Sequence, residues 1–251
     1  TTLDVDLQEI AYQSLGAYKG AIIVTEPSTG RILAMVSKPD FDPNEIEAIW
    51  DDLLQDKDSS VLLNRATQGL YPPGSTFKII TALEYMRENP DTYQNYTYQC
   101  NGRFKQGEDV INCFHGTAHG GESFTKSFAK SCNASFANIS VQLDKNSYGD
   151  TLEELLFNSE LPVSFAYNKS SVIVNENTSD SDVMQASIGQ GTDSITPLHM
   201  NMITCAIAND GILMKPYLID RVENENGSVM KQFTSGAYGK LITEQEAENL
   251  T

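Results

Sequence analysis

Apolar residues at Leu3, Leu7, Ile10, Ala11 and Leu15 fall three and four positions apart, so residues 2 to 16 predict an amphipathic helix that ends near Gly16. The pattern then changes to short apolar runs, Ala21-Ile22-Ile23-Val24 and Ile32-Leu33-Ala34-Met35-Val36. They are joined by Pro27-Ser28-Thr29-Gly30, a turn sequence, which predicts a β-hairpin. Residues 44 to 56 read as a helix with one acidic face, and Ile79, Ile80, Ala82, Leu83, Tyr85 and Met86 carry a core helix to about Arg87. Residues 93 to 113, rich in Gly, Asn and Tyr, predict irregular structure. Helices are expected at 122 to 131, 134 to 144, 151 to 158 and 197 to 209, with a polar loop over 164 to 181. In the tail, two strands are expected between Leu213 and Phe233 around Asn224-Glu225-Asn226-Gly227, and Thr243-Glu244-Gln245-Glu246 opens another helix as a capping box. This order predicts an antiparallel sheet, built from the hairpin and the C-terminal strands, with helices on both faces and the helix after Gly74 at the centre.

The chain has 251 residues, 40% of them hydrophobic, enough to build the core of one large domain or two small ones. A net charge of -17 argues against nucleic acid and anionic membrane surfaces as partners. No apolar run approaches the roughly 18 residues of a membrane span, and no signal peptide opens the chain, so the piece itself is expected to be soluble.

Chemistry concentrates at Tyr71-Pro72-Pro73-Gly74-Ser75-Thr76-Phe77-Lys78. The prolines block helix upstream, Gly74 permits a tight approach, and Ser75 and Lys78, three apart, share one face at the start of the core helix. A neutral Lys78 amine there can take the Ser75 proton, and the positive helix end favours both that amine and the oxyanion that follows attack. Ser-x-x-Lys recurs at Ser123/Lys126, Ser127/Lys130 and Ser228/Lys231, but only the first pair follows Pro-Pro-Gly and leads an apolar helix. The motif is shared by penicillin-binding proteins and class A β-lactamases.

Taken together, the segments resemble the transpeptidase domain of penicillin-binding proteins along the whole chain, 1 to 251. The N-terminal part of the resemblance lies in Thr2-Leu3-Asp4, Ala21-Ile22-Ile23-Val24, Thr29-Gly30-Arg31-Ile32-Leu33-Ala34-Met35 and Phe41-Asp42-Pro43-Asn44. Asn64-Arg65-Ala66 with the Ser75 motif is similar to the monofunctional class B branch. Ser131-Cys132-Asn133, the only Ser-x-Asn in the chain, matches the second motif, and Ser187-Ile188-Gly189-Gln190-Gly191 with Ile195-Thr196-Pro197-Leu198 matches the segment leading to the third. The resemblance implies the α/β class, of α+β type: an antiparallel sheet flanked by helices, as in penicillin-binding transpeptidases and serine β-lactamases. It further implies that Ser75 attacks a terminal D-Ala-D-Ala peptidoglycan stem peptide with Lys78 as base, that Ser131 relays a proton to the leaving amine, and that Asn133 holds the acyl-donor amide. No cofactor is implied for catalysis. β-Lactam antibiotics would acylate Ser75 as substrate mimics. The implied setting is extracytoplasmic, with a membrane anchor preceding this chain and a membrane glycosyltransferase as partner, in elongation or division. No Lys-Thr-Gly or Lys-Ser-Gly occurs, whereas the family places that strand downstream; the expectation is a domain incomplete at its C-terminus.

The cysteines give a second constellation. Cys100, Cys113, His119 and Cys132 are spaced Cys-x12-Cys-x5-His-x12-Cys, which suits a tetrahedral Cys3His zinc site stapling a Gly-rich loop. Class B enzymes of the elongation type are similar here. A Cys100–Cys113 disulfide and free thiols are the alternatives. His115 is a spare ligand, and His199 and Cys205 read as packing residues. Two functional rivals stand beside the transpeptidase: a serine β-lactamase, for which Glu154 in Glu154-Leu155-Leu156-Phe157-Asn158 would be the deacylating base, and a non-catalytic β-lactam sensor or divisome scaffold.

Overall fold

A computed structural model describes residues 1–56 and 58–251. Helix α1, Val5–Leu15, is N-capped by the Asp4 carboxylate and packs on a hairpin of β1, Gly20–Glu26, and β2, Arg31–Lys38. Helix α2, Ile46–Gln55, follows a 3-10 turn. The Ser75 segment enters through a second 3-10 turn, Gly74–Phe77, and continues as α3, Lys78–Glu88. Eight of the eleven α3 residues are buried, including Ile80, Leu83, Tyr85 and Met86. A helix covered on almost every side is a core helix, as the apolar run predicts.

Around α3 lie α4, Phe124–Ala129; α5, Asn133–Ser140; α6, Lys145–Glu154; α7, Asp180–Ala186; α8, Pro197–Ala208; and α9, Glu244–Leu250. Phe136, Tyr148, Leu152, Phe157, Met184, Leu198 and Met202 join the α3 side chains in one core. Each fully buried aliphatic or aromatic of this kind stabilises by about 1.5–3 kcal/mol relative to exposure. Arg87 ties the end of α3 to α6 and α9 through Glu154 and Glu246, both at 2.8 Å. The capping box at Thr243 and Glu246 is complete and starts α9 as expected.

Helices and antiparallel strands coexist, but the strands pair two by two. Region 93 to 113 is more regular than its composition suggests: β3, Thr97–Cys100, pairs with β6, Gly120–Ser123, and β4, Arg103–Gln106, pairs with β5, Asp109–Asn112. Four-residue polar strands carry too little alternation to be read from sequence. In the tail, β8, Arg221–Glu223, and β9, Val229–Gln232, form the hairpin expected at Asn226-Gly227. β7, Ile212–Met214, pairs with β10, Ala237–Lys240. These strands do not extend the N-terminal hairpin into one sheet: one parallel bridge, Arg31 to Tyr217, joins the two. β7 is only three residues long, and Pro216 just beyond it has no N–H to give to a ladder. α6 begins six residues before the expected helix at 151, because Asp144 caps it by accepting from Asn146 and Ser147 N–H. α7, capped by Ser179, cuts into the end of the expected loop.

His199 and Cys205 are packing residues, as expected. His199 is 1% exposed, its Nε2 meets the Leu155 carbonyl at 2.7 Å, and burial lowers its pKa to about 4. Among the described residues no helix is long and apolar enough to cross a membrane.

Candidate active site

Two antiparallel hydrogen bonds between Tyr71 and Ile195 anchor the chain ahead of Ser75. Pro72 and Pro73 then direct it into the 3-10 turn, where the Thr76 hydroxyl bonds the Pro73 carbonyl at 2.8 Å. This geometry leaves Ser75 exposed while Lys78, one turn on, is only 1% exposed. Lys78 is therefore not the solvated lysine of an ordinary capped helix.

The second motif arrives from the α4–α5 junction. Ser131 has φ of 52°, a left-handed conformation that non-glycine residues seldom adopt. That twist turns both its carbonyl and its hydroxyl onto Lys78. Lys78 Nζ lies 3.1 Å from Ser75 Oγ, 2.9 Å from Ser131 O, 2.9 Å from Ser131 Oγ and 2.6 Å from Asn133 Oδ1. All four sequence-predicted site residues thus meet at one nitrogen.

Four oxygens surround an ammonium that has three hydrogens. The two that only accept, Ser131 O and Asn133 Oδ1, hold two N–H groups in either protonation state; in the neutral amine the third direction is a lone pair, which can accept from the hydroxyl of Ser75 or of Ser131, one at a time. Burial favours the neutral form and lowers the Lys78 pKa to about 8, against partial opposition from Cys132 and Cys113.

Asn133 connects this centre to the cysteines. Its Nδ2 donates to the Asn112 carbonyl at 3.1 Å, while Cys132 immediately precedes it and N-caps α5 by accepting from Ser135 N–H. Ligand atoms of Cys100, Cys113, His119 and Cys132 all lie within 4.8 Å of one another. The Sγ separations are 3.7 Å for Cys100–Cys113 and 3.8 Å for Cys113–Cys132, and Cys100 Sγ is 3.5 Å from His119 Nδ1. A tetrahedron of zinc–sulfur bonds near 2.3 Å has edges of about 3.8 Å, whereas a disulfide would bring two sulfurs to about 2.05 Å. The donor set and its spacing fit zinc, and the expected alternative pair, Cys100 and Cys113, is not bonded. Burial opposes ionisation of all three thiols. At Cys100 hydrogen bonds from His119 and Gly102 outweigh it and hold the pKa below the usual thiol range, whereas Cys113 and Cys132 are pushed up. A cation among the sulfurs would stabilise all three thiolates. His115 lies outside the cluster, its ring against Phe114 with centroids 4.0 Å apart.

The model of the penicillin binding protein transpeptidase domain matches residues 20–250. The chain belongs to this family. Peptidoglycan D,D-transpeptidase PbpA of Mycobacterium tuberculosis is 31% identical over 273 residues, covering 100% of this chain and 54% of that protein. The chain thus spans about half the length of this curated relative. The imipenem acyl-enzyme complex of M. tuberculosis penicillin-binding protein A superposes with a TM-score of 0.90 at 28% identity, over 100% of this chain and 61% of that one. The D,D-transpeptidase domain of a peptidoglycan glycosyltransferase from Eggerthella lenta gives 0.92 at 27%, over 99% and 63%.

Within this penicillin-binding fold the other Ser-x-x-Lys pairs have structural work. Ser123 caps α4, Ser127 is buried between Glu122 and Ser135, and Ser228 borders the exposed β8–β9 hairpin. Glu154 bonds Arg87 at the far end of α3, nine residues from Lys78 and so about 14 Å along the helix. Asn112 was not foreseen, because a backbone carbonyl leaves no signature in sequence.

Proposed function

We propose that the protein is a peptidoglycan D,D-transpeptidase, working outside the cytoplasmic membrane through a Ser75 acyl-enzyme. The convergence of Ser75, Ser131 and Asn133 on a buried, deprotonatable Lys78 carries this reading. Lys78 takes the Ser75 proton as Oγ attacks the carbonyl of the penultimate D-Ala. The bond to the terminal D-Ala breaks, and the Ser131 hydroxyl passes that proton to the leaving amine. The Ser75 N–H, in the first turn of the helix, lacks an intrahelical acceptor and is placed to stabilise the oxyanion. An amine of a second stem peptide then attacks the ester, and the proton path runs in reverse. Asn133 keeps Lys78 in place and presents its amide to the acyl donor. A β-lactam follows the first half of this path and stays on Ser75.

Zinc at Cys100, Cys113, His119 and Cys132 would supply structure rather than chemistry, holding the β3–β6 region against the Ser131 turn. A membrane anchor outside this chain and a glycosyltransferase partner complete the proposed setting. The position of Glu154 disfavours a β-lactamase. Intact mass after incubation with penicillin G tests the reading: one covalent adduct on Ser75, absent from Ser75→Ala, is expected. An adduct that persists in Ser75→Ala, or turnover of nitrocefin at β-lactamase rates, would overturn it.

A further inference from the structure

Residues 187 to 195 run beside the nucleophile segment as a strap fastened at three points. Thr81 Oγ1 donates to the Ser187 carbonyl at 3.0 Å, Gly74 N–H donates to the Gly189 carbonyl at 2.9 Å, and Tyr71 pairs with Ile195. The middle contact is the tightest. Gly189 has φ of 67°, and a Cβ built on it would stand 2.2 Å from Gly74 O, 2.6 Å from Gly74 N and 2.9 Å from Gly74 C. All three are backbone atoms of the residue that precedes Ser75, so a side chain at 189 can be accommodated only by moving the turn that carries the nucleophile. The Gly74 N–H also belongs to the helix start, where no intrahelical carbonyl is available, and Gly189 supplies the missing acceptor.

We propose that Gly189 is a positioning residue for acyl transfer. It sets where Ser75 Oγ stands relative to the bound carbonyl, while Lys78 is held independently by Ser131 and Asn133. This rests on Ser75 being the nucleophile.

Gly191 provides an internal control. It has φ of 78° in the same strap, but a Cβ there meets only Gln185 Cβ, at 3.2 Å. Ala at either position is strained by the same backbone conformation, whereas only Ala at 189 pushes on Gly74.

Stopped-flow acylation of the protein by penicillin G, resolving the non-covalent Ks from the acylation rate k2, separates the two effects. Gly189→Ala should lower k2 by about 10- to 100-fold with Ks within about twofold, the effect expected for ångström-scale misplacement of a reacting atom. Gly191→Ala carries the backbone strain without the clash, so it should lower Tm by less than Gly189→Ala and leave k2 within about twofold of wild type. Wild-type k2 in Gly189→Ala, or equal slowing in Gly191→Ala, overturns the proposal. If Gly189→Ala does not fold, Thr81→Val decides. It frees the Ser187 carbonyl, so k2 should fall, and Tyr148→Phe, which spares that bond, should leave k2 unchanged; equal k2 in both overturns the proposal. Loss of the adduct from Ser75→Ala in parallel keeps failure of this inference distinct from failure of the nucleophile assignment.

Discussion

The Asn112 carbonyl accepts a hydrogen bond from the side-chain amide of Asn133 at 3.1 Å, and this bond makes the cysteine loop one wall of the proposed catalytic centre. With Nδ2 engaged there, Oδ1 faces Lys78 at 2.6 Å. Cys113 follows Asn112 in the chain and Cys132 precedes Asn133, so the proposed zinc ligands flank both partners of that bond.

Purified protein should therefore carry close to one equivalent of zinc, with donor distances of about 2.0–2.3 Å. Removing it with a chelator should free the loop, misplace Asn133 and Ser131, and slow penicillin acylation in step with metal loss. Elemental analysis beside acylation kinetics checks both. Absence of metal together with a mass rise of about 2 Da on reduction would instead establish a disulfide.

Acylation should depend on pH through Lys78. Its pKa is lowered to about 8, and the neutral amine is the reactive form, so the rate should rise with pH and level off above 9. Only about a tenth of the amine is neutral one unit below its pKa and about nine tenths one unit above it, so the rate should increase roughly tenfold between pH 7 and 9. Lys78→Ala should lose about 10²- to 10⁴-fold and remain folded. A flat profile in the wild type, or undiminished acylation in the variant, would remove Lys78 from the role of base.

Ser131 combines strain with chemistry. At φ of 52° alanine keeps the backbone penalty and glycine relieves it, so Ser131→Gly should be more stable than Ser131→Ala by about 1 kcal/mol. Both lack the hydroxyl proposed to relay the proton, so both should lose stem-peptide transfer by about 10²-fold or more. Denaturant melts compare the stabilities, and peptide turnover tests the relay. Equal stabilities would exclude strain at Ser131, and normal turnover would exclude the relay.

Elements with strong periodicity were legible in the sequence: α1, the β1–β2 hairpin, α3 and α8 fall where their apolar spacing places them. The meeting of Ser75, Lys78, Ser131 and Asn133, the proposed catalytic residues, was legible because each member sits in a short motif whose spacing is itself geometric. What stayed hidden rests on tertiary partners. Strands β3 to β6 are four residues each, and the opposing strand rather than local pattern defines them. Asn112 acts through a carbonyl, and the closeness of Gly189 to Gly74 spans 115 positions of sequence that no local window covers. The single sheet expected from hairpin plus tail fails for a related reason, since strand character does not specify which strands pair.

Asp193, in the strap beside the nucleophile segment, gives a stability prediction of definite sign. It is 5% exposed, its Oδ2 has no hydrogen-bond partner among the described residues, and burial raises its pKa from 3.8 to about 7. Between those values the folded state holds a proton that the unfolded state has released, so folding stability should fall as pH rises from about 4 to 7. Asp193→Asn has nothing to ionise and escapes that loss. Its stability relative to wild type should be near zero at pH 4 and favourable by on the order of 2–4 kcal/mol at pH 8, the free-energy equivalent of the shift. Glu88, raised to about 7 chiefly by burial, adds a slope of the same sign, but it does so in both proteins and cancels in the difference. Denaturant titrations of the two proteins at pH 4.5, 6 and 8 measure this directly. Parallel stability curves would mean that Asp193 is solvated or paired in solution, and its buried, unpartnered oxygen would then need another explanation.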